Sequence, residues 1–173
     1  MARRVMEATV VLAVFGMLVG CSGPQEKKAY AVPGKLCGVP VDPKLVSPFL
    51  PPGKQAEVRG THPVPSRRIC QVNVDDKWAL IANQEWWEED VPITTLALGN
   101  RAVKSGNLSD DGTFIYSGTG AVMRVKGCKK PDRAGHTLYT SIQVRASDLG
   151  NAPAMKKLAT AYTKAVGNTD ECS

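Results

Sequence analysis

Apolar residues fall along this chain in three rhythms, and each points to a different kind of element. Near the start they run together: Ala8 to Gly20, "ATVVLAVFGMLVG", is unbroken by charge. Between Arg67 and Trp87 they alternate. Cys70, Val72 and Val74 stand between polar neighbours, Asp75-Asp76-Lys77 turns the chain, and Trp78, Leu80, Ala82 and Trp86 resume at period two. That period marks a half-buried strand, so the stretch predicts a β-hairpin with one buried face. Near the end they recur at three and four. Met155, Leu158, Ala159, Tyr162 and Val166 share one face of a helix that Asn151 caps and Gly167 closes, with Lys156, Lys157 and Lys164 outside.

Shorter signals fill the space between. Asp42 before Pro43 starts a helix, and Pro48 with Pro51-Pro52-Gly53 limits it to about two turns. A strand is predicted around Ala56 to Thr61, with Pro63 and Pro65 in the connection that follows. Asp90 is predicted to cap a short helix in "VPITTLALG", ending at Gly99, and "NRAVKSGNLSDDG" reads as loop. "TFIYS" and "AVMRVKGC" read as strands split by Gly118-Thr119-Gly120; the polar "KKPDRAG" leads into a last strand, "HTLYTSIQVRA". The expected fold class is α+β: an antiparallel sheet built from hairpins, with short helices and a C-terminal amphipathic helix packed on it. Residues 37–173 are enough for one hydrophobic core and too few for two.

The apolar run at the start has its own meaning. Its 13 residues cover about 20 Å as a helix, short of the roughly 30 Å of a bilayer core. Arg3 and Arg4 precede it and small residues end it, the layout of a secretory signal. Leu18-Val19-Gly20-Cys21 resembles the lipobox of bacterial lipoproteins. That resemblance implies a signal peptide over residues 1–20, a diacylglycerol on the Cys21 thiol, and Cys21 as the mature N-terminus. Two acyl chains hold a protein on a membrane where one does so marginally. An ordinary secretory signal with a chance cysteine is the other reading. Arg3-Arg4 lacks the hydrophobic-Leu-Lys continuation of a twin-arginine signal. Residues 21–36, rich in Gly, Pro and charge without a period, are read as a tether holding the domain about 20 Å from the membrane. The expected location is the outer face of the cytoplasmic membrane.

Removing the signal leaves Cys37, Cys70, Cys128 and Cys172. An even set on the oxidising side of a membrane reads as two disulfides, for which three connectivities are open. The favoured one joins Cys37 to Cys70 and Cys128 to Cys172, each tying an end of the domain to a nearby strand. A four-thiolate zinc site is the rival, and no CxxC spacing supports it. Of 22 Lys and Arg and 16 Asp and Glu, the signal takes Arg3, Arg4 and Glu7, leaving 20 against 15. Outside a cell such a basic surface meets anionic lipids and wall polymers rather than nucleic acid, or simply keeps the domain soluble.

Catalytic patterns are absent: no GxSxG, no HExxH, no phosphate loop. His62 and His136 sit in different contexts, and no metal or cofactor is expected. Asp75-Asp76 and Asp110-Asp111 read as turn residues before paired catalytic carboxylates. Within "QEWWEED", Trp86 belongs with the core residues, while Trp87 faces the other way beside Glu85. Trp87 with Glu85, Glu88 and Glu89 offers an aromatic plane for a sugar ring or a cation, unless the following helix covers it. Lys129, Lys130 and Arg133 in "CKKPDR" are the candidates for an anionic partner, against a plain solvated turn.

The lipobox, the short tether, "LCGVPVDPKL", a Cys-strand-turn-Trp strand and a closing strand-helix-Cys together resemble the actinobacterial extracytoplasmic lipoproteins of unknown function. That resemblance implies a disulfide-stapled, sandwich-like α+β domain and carries over no functional residue beyond Cys21. A non-catalytic binding domain for a wall polymer, lipid or envelope protein is the expected function. A small cell-envelope hydrolase with a carboxylate-based site is the alternative, and a transporter's substrate receptor the third.

Overall fold

A computed structural model describes residues 27–103 and 105–172. The signal segment 1–20 and Cys21 lie outside the described residues. Two short strands open the fold, β1 (Lys35–Leu36) and β2 (Val39–Pro40), paired antiparallel. Both residues of their turn have positive φ, Cys37 at 49° and Gly38 at 92°, the backbone that two-residue hairpins favour. Helix α1 (Pro43–Val46) follows, with Asp42 accepting from the Lys44 N–H at 2.8 Å, and tightens into a 3-10 turn over Ser47–Phe49. Val46, Phe49 and Leu50 are buried.

Residues 28–36, read from sequence as part of the tether, lie against the domain. Lys28 bridges to Gly53, and its ammonium reaches the Ser47 carbonyl; Ala29 N–H donates to the Gly53 carbonyl at 2.8 Å. Tyr30 and Val32 pack on the core, and Leu36 is fully buried. This stretch has no hydrophobic period because single side chains, rather than a regular face, hold it down.

The main sheet runs β3 (Ala56–Val64), β4 (Arg67–Val74), β5 (Lys77–Glu88), then β9 (His136–Val144), β8 (Gly120–Arg124), β7 (Phe114–Tyr116) and β6 (Asn107–Leu108). Every neighbouring pair is antiparallel. This is the α+β arrangement expected, an antiparallel sheet with short helices and a C-terminal helix packed on it. Strand β3 continues through His62 and Pro63, past the predicted end, with an irregularity between Thr61 and Val64. As an edge strand it tolerates a residue with no N–H to give.

The β4–β5 turn holds Asp75 and Asp76 at φ 47° and 64°. The Asp75 carboxylate accepts from the Gln55 and Lys54 N–H groups, which hold it below its ordinary pKa. A bulge follows: Val72 pairs Leu80, but Asn73 pairs Trp78. Ala79 is the extra residue, so Trp78 falls out of phase with Leu80 instead of sharing its face, as alternation alone predicts. Arg145 lies 5.7 Å over the Trp78 ring.

Helix α2 (Ile93–Leu98) begins after Pro92, whose residue is the cap; Asp90 is not. The segment after it is not wholly loop, forming a 3-10 turn at Arg101–Val103 and then β6. Helix α3 (Ala152–Val166) is as its spacing predicts, with Asn151 accepting from Ala154 N–H at 2.9 Å. Its Met155, Leu158, Tyr162 and Val166 are fully buried against Val72, Leu80, Leu138 and Ile142 of the sheet. Burial of each such side chain contributes about 1.5–3 kcal/mol. A smaller cluster on the opposite face joins Ile93, Ala97 and Val103 to Ile115, Val122 and Tyr139 under α2.

The disulfides are Cys37–Cys70 and Cys128–Cys172, spanning 33 and 44 residues. The first pins the β1–β2 turn to β4; a Cβ on Gly60, opposite Cys70, would come within 3.3 Å of the Cys37 sulfur. The second joins the segment after β8 to the tail beyond α3. That tail brings Glu171 under the sheet, where its carboxylate accepts from Trp86 Nε1 at 2.9 Å and meets Arg68 at 2.6 Å.

Burial pushes the Tyr162 phenol up to about 12, against a smaller opposite effect of the Gln84 amide. A phenol with a higher pKa folded than unfolded adds stability that is whole below about pH 10 and lost as pH rises toward 12. The thermal midpoint should therefore fall through that window. In Tyr162→Phe the fall should be shallower but still present, because burial raises Tyr30 and Tyr139 as well. Calorimetry showing the same pH dependence in both proteins would refute this.

Candidate functional site

Two concave surfaces contain the residues singled out from sequence. The first lies on the sheet face opposite α3. Ile93 and Ala97, one turn apart, seat α2 over β7 and β8, leaving the outer face of β4 and β5 open. Gly120 permits this: a Cβ there would sit 2.5 Å from the Ala102 Cβ, so the Arg101–Val103 turn could not lie against β8. The step between helix and open sheet encloses a cavity of about 260 Å³.

Strand register fills that cavity with polar groups. Arg67 and Glu85 are direct partners across β4 and β5, and Arg67 Nε donates to Glu85 Oε1 at 2.7 Å. Asn83 and Ser141 are direct partners across β5 and β9, with Asn83 Nδ2 donating to Ser141 Oγ at 3.2 Å. Asn83 Oδ1 is buried and has no partner. Trp87 forms one wall, half-buried and packed near Leu96 of α2; Gln143, Thr95 and Asn100 also line it, as do Val122 and Tyr139. The helix thus covers Trp87 only in part. Glu88 and Glu89 do not line this cavity, so the acidic ring expected around Trp87 reduces to Glu85, already neutralised by Arg67.

The second surface is a groove of about 660 Å³ between the end of β8 and the start of β9. Gly127 and Gly135, at φ 74° and 73°, bend the chain at its two ends. Lys129, Lys130 and Arg133 line it, joined by Arg124, Lys126 and His136, with Glu89 as the facing carboxylate. Arg133 donates to the Pro65 carbonyl at 2.8 Å, anchoring the loop to the β3–β4 turn. Arg124 donates to Thr137 Oγ1 at 3.2 Å and lies 3.8 Å from Glu89. Lys126 meets Asp111, whose carboxyl is held well below the carboxylate range by the Ser109 and Thr113 hydroxyls and by Lys126. Lys129 is exposed and Lys130 half-buried, and no hydrogen bond or ion pair is described for either ammonium. The groove continues past Arg124 and Lys126 into a second hollow of about 530 Å³, floored by Phe114 and Met123 and rimmed by Lys156 and Lys164.

Trp87 and Glu85 therefore share one cavity, while Lys129, Lys130 and Arg133 share another, and the two have no lining residue in common. Sequence reasoning put Asn83 on the face of Trp87 and Glu85, but missed Arg67 and Ser141 in the first cavity and Arg124 and Lys126 in the second. Period two within β4 and β9 would have put Arg67 and Ser141 on outer faces, but their pairing with β5 needs the register. Among the described residues no group of three His, Cys, Asp or Glu converges as a metal site, and no helix is long and apolar enough to cross a membrane.

The fold defines an α+β domain, a seven-stranded antiparallel sheet carrying a long helix, stapled by two disulfides. Compared with protein-family models, curated proteins and solved structures, the chain matches none of them.

Proposed function

We propose that this protein is a membrane-anchored extracytoplasmic lipoprotein whose domain is a non-catalytic binding module for an anionic component of the cell envelope. The observation that carries the reading is the groove after β8, where Lys129 and Lys130 have no described partner and Arg124, Lys126 and Arg133 stand around them. Cations crowded in a concave wall attract phosphate or carboxylate groups more strongly than the same charges spread on a convex surface. In the cavity beside α2 the carboxylate-site alternative finds no comparable support, because Glu85 is held by Arg67 and no second carboxylate lines it. The anchor itself rests on the Leu18–Cys21 motif. Intact-mass analysis of membrane-extracted protein should find acyl mass in the wild type and none in Cys21→Ser.

The groove is tested separately from the anchor. A chain beginning at Ser22 should bind vesicles containing phosphatidylglycerol, or a soluble polyphosphate, and lose that binding as salt rises. Each lysine near an anionic surface contributes about 1 kcal/mol. Lys129→Gln with Lys130→Gln should then weaken binding by about thirtyfold at low salt. Equal affinity for neutral and anionic vesicles, or no change in the double variant, would sink the reading.

A further inference from the structure

The cavity beside α2 is polar yet carries no net charge. Its one guanidinium and one carboxylate, Arg67 and Glu85, are bound to each other. A cation would find no uncompensated anion there, and an anion no uncompensated cation. The rest of the wall mixes polar groups such as Asn83, Gln143 and Ser141 with the indole of Trp87 and the apolar Leu96 and Val122. That mixture suits a ligand with an apolar face and a rim of hydroxyls.

Asn83 adds an independent sign. Its Nδ2 is used by Ser141 and its Oδ1 is buried without a partner. Were the amide turned over, the oxygen would accept from Ser141 and the nitrogen would be left over instead, so one polar atom stays unpaired either way. Buried polar groups are paired in the great majority of cases, and an orphan in the wall of a cavity calls for a partner that enters from outside. The terminal torsion of an asparagine is soft, which lets the amide turn that atom toward a ligand. About 260 Å³ is below the roughly 300–1,000 Å³ of drug-sized sites. The space fits one ring rather than a chain.

We propose that this cavity binds a single neutral pyranose ring, stacked on Trp87 and hydrogen-bonded by Asn83, Ser141 and Gln143. The site is separate from the basic groove and does not depend on its role. The test uses the full-length protein in a non-glycoside detergent, titrated with glucose, galactose, mannose and N-acetylglucosamine to about 50 mM, a range suited to the millimolar affinity of small, weak ligands. At least one sugar should shift the Trp87 indole N–H and the Asn83 side-chain amide signals in the nitrogen–proton spectrum. Trp87→Ala should weaken binding at least about tenfold. Because Trp87 also packs near Leu96, Asn83→Ala serves as the second variant. It should weaken binding about tenfold while moving the thermal midpoint little, since the lost hydrogen bond to Ser141 is offset by removal of a buried unpaired oxygen. Lys129→Gln with Lys130→Gln should leave sugar binding intact. No shift with any of the four sugars, or shifts that persist unchanged in both cavity variants, would overturn the proposal.

Discussion

Replacing Cys128 and Cys172 together by alanine should lower the unfolding free energy by about 4 kcal/mol. The bond closes a loop of 44 residues, and the chain-entropy model gives about that figure for a loop this long. A domain of this size holds roughly 5–15 kcal/mol in all, so the variant should unfold at a much lower urea concentration. The effect should exceed the cost of removing Cys37–Cys70 only slightly, because loop length enters as a logarithm. Equilibrium urea unfolding of both double variants under non-reducing conditions measures it. A Cys128/Cys172 variant within about 1 kcal/mol of wild type would mean that the link does not restrain the unfolded chain as supposed.

Glu171→Ala should cost about 2–3 kcal/mol. The carboxylate is 7% exposed and accepts from the indole of Trp86, itself 5% exposed. Alanine leaves that N–H buried with nothing to donate to, the expensive way to lose a hydrogen bond. Arg68 adds less, because its side chain is 52% exposed and water replaces the lost partner. A double-mutant cycle with Trp86→Phe separates the two contributions. The coupling should be at least about 1 kcal/mol, and additive single effects would refute the bond's role. Glu171 is also the neighbour of Cys172, so the two predictions should not add. Once the tail is freed, Trp86 has already lost its acceptor.

Much of this fold was legible because its long-range order rests on local rhythm. The face of α3 follows from its 3/4 spacing, and β5 from alternation between Leu80 and Trp86. What failed was local irregularity and docking by single residues. Ala79 carries no mark of a bulge, so the phase of Trp78 could not be read. Asp90 looked like a helix cap, but the extended Pro92 backbone takes that position. Tyr30, Val32 and Leu36 lie in a stretch composed like a linker. The cavity beside α2 was half visible: Trp87 and Glu85 emerge from period two, yet Asn83 and Ser141 are 58 residues apart and meet only through the β5–β9 register. The basic groove showed its loop, while Arg124 and Lys126 read as ordinary members of a strand and its end.

The docking of the chain from Lys28 onward bears on reach. If the sulfur at position 21 holds the lipid, seven residue steps separate it from Lys28, which bridges to Gly53, a contour of at most about 25 Å. Such a short mooring confines the domain to a shell within a few nanometres of the headgroups. It could sample material pressed against the bilayer but could not sweep the depth of a thick wall.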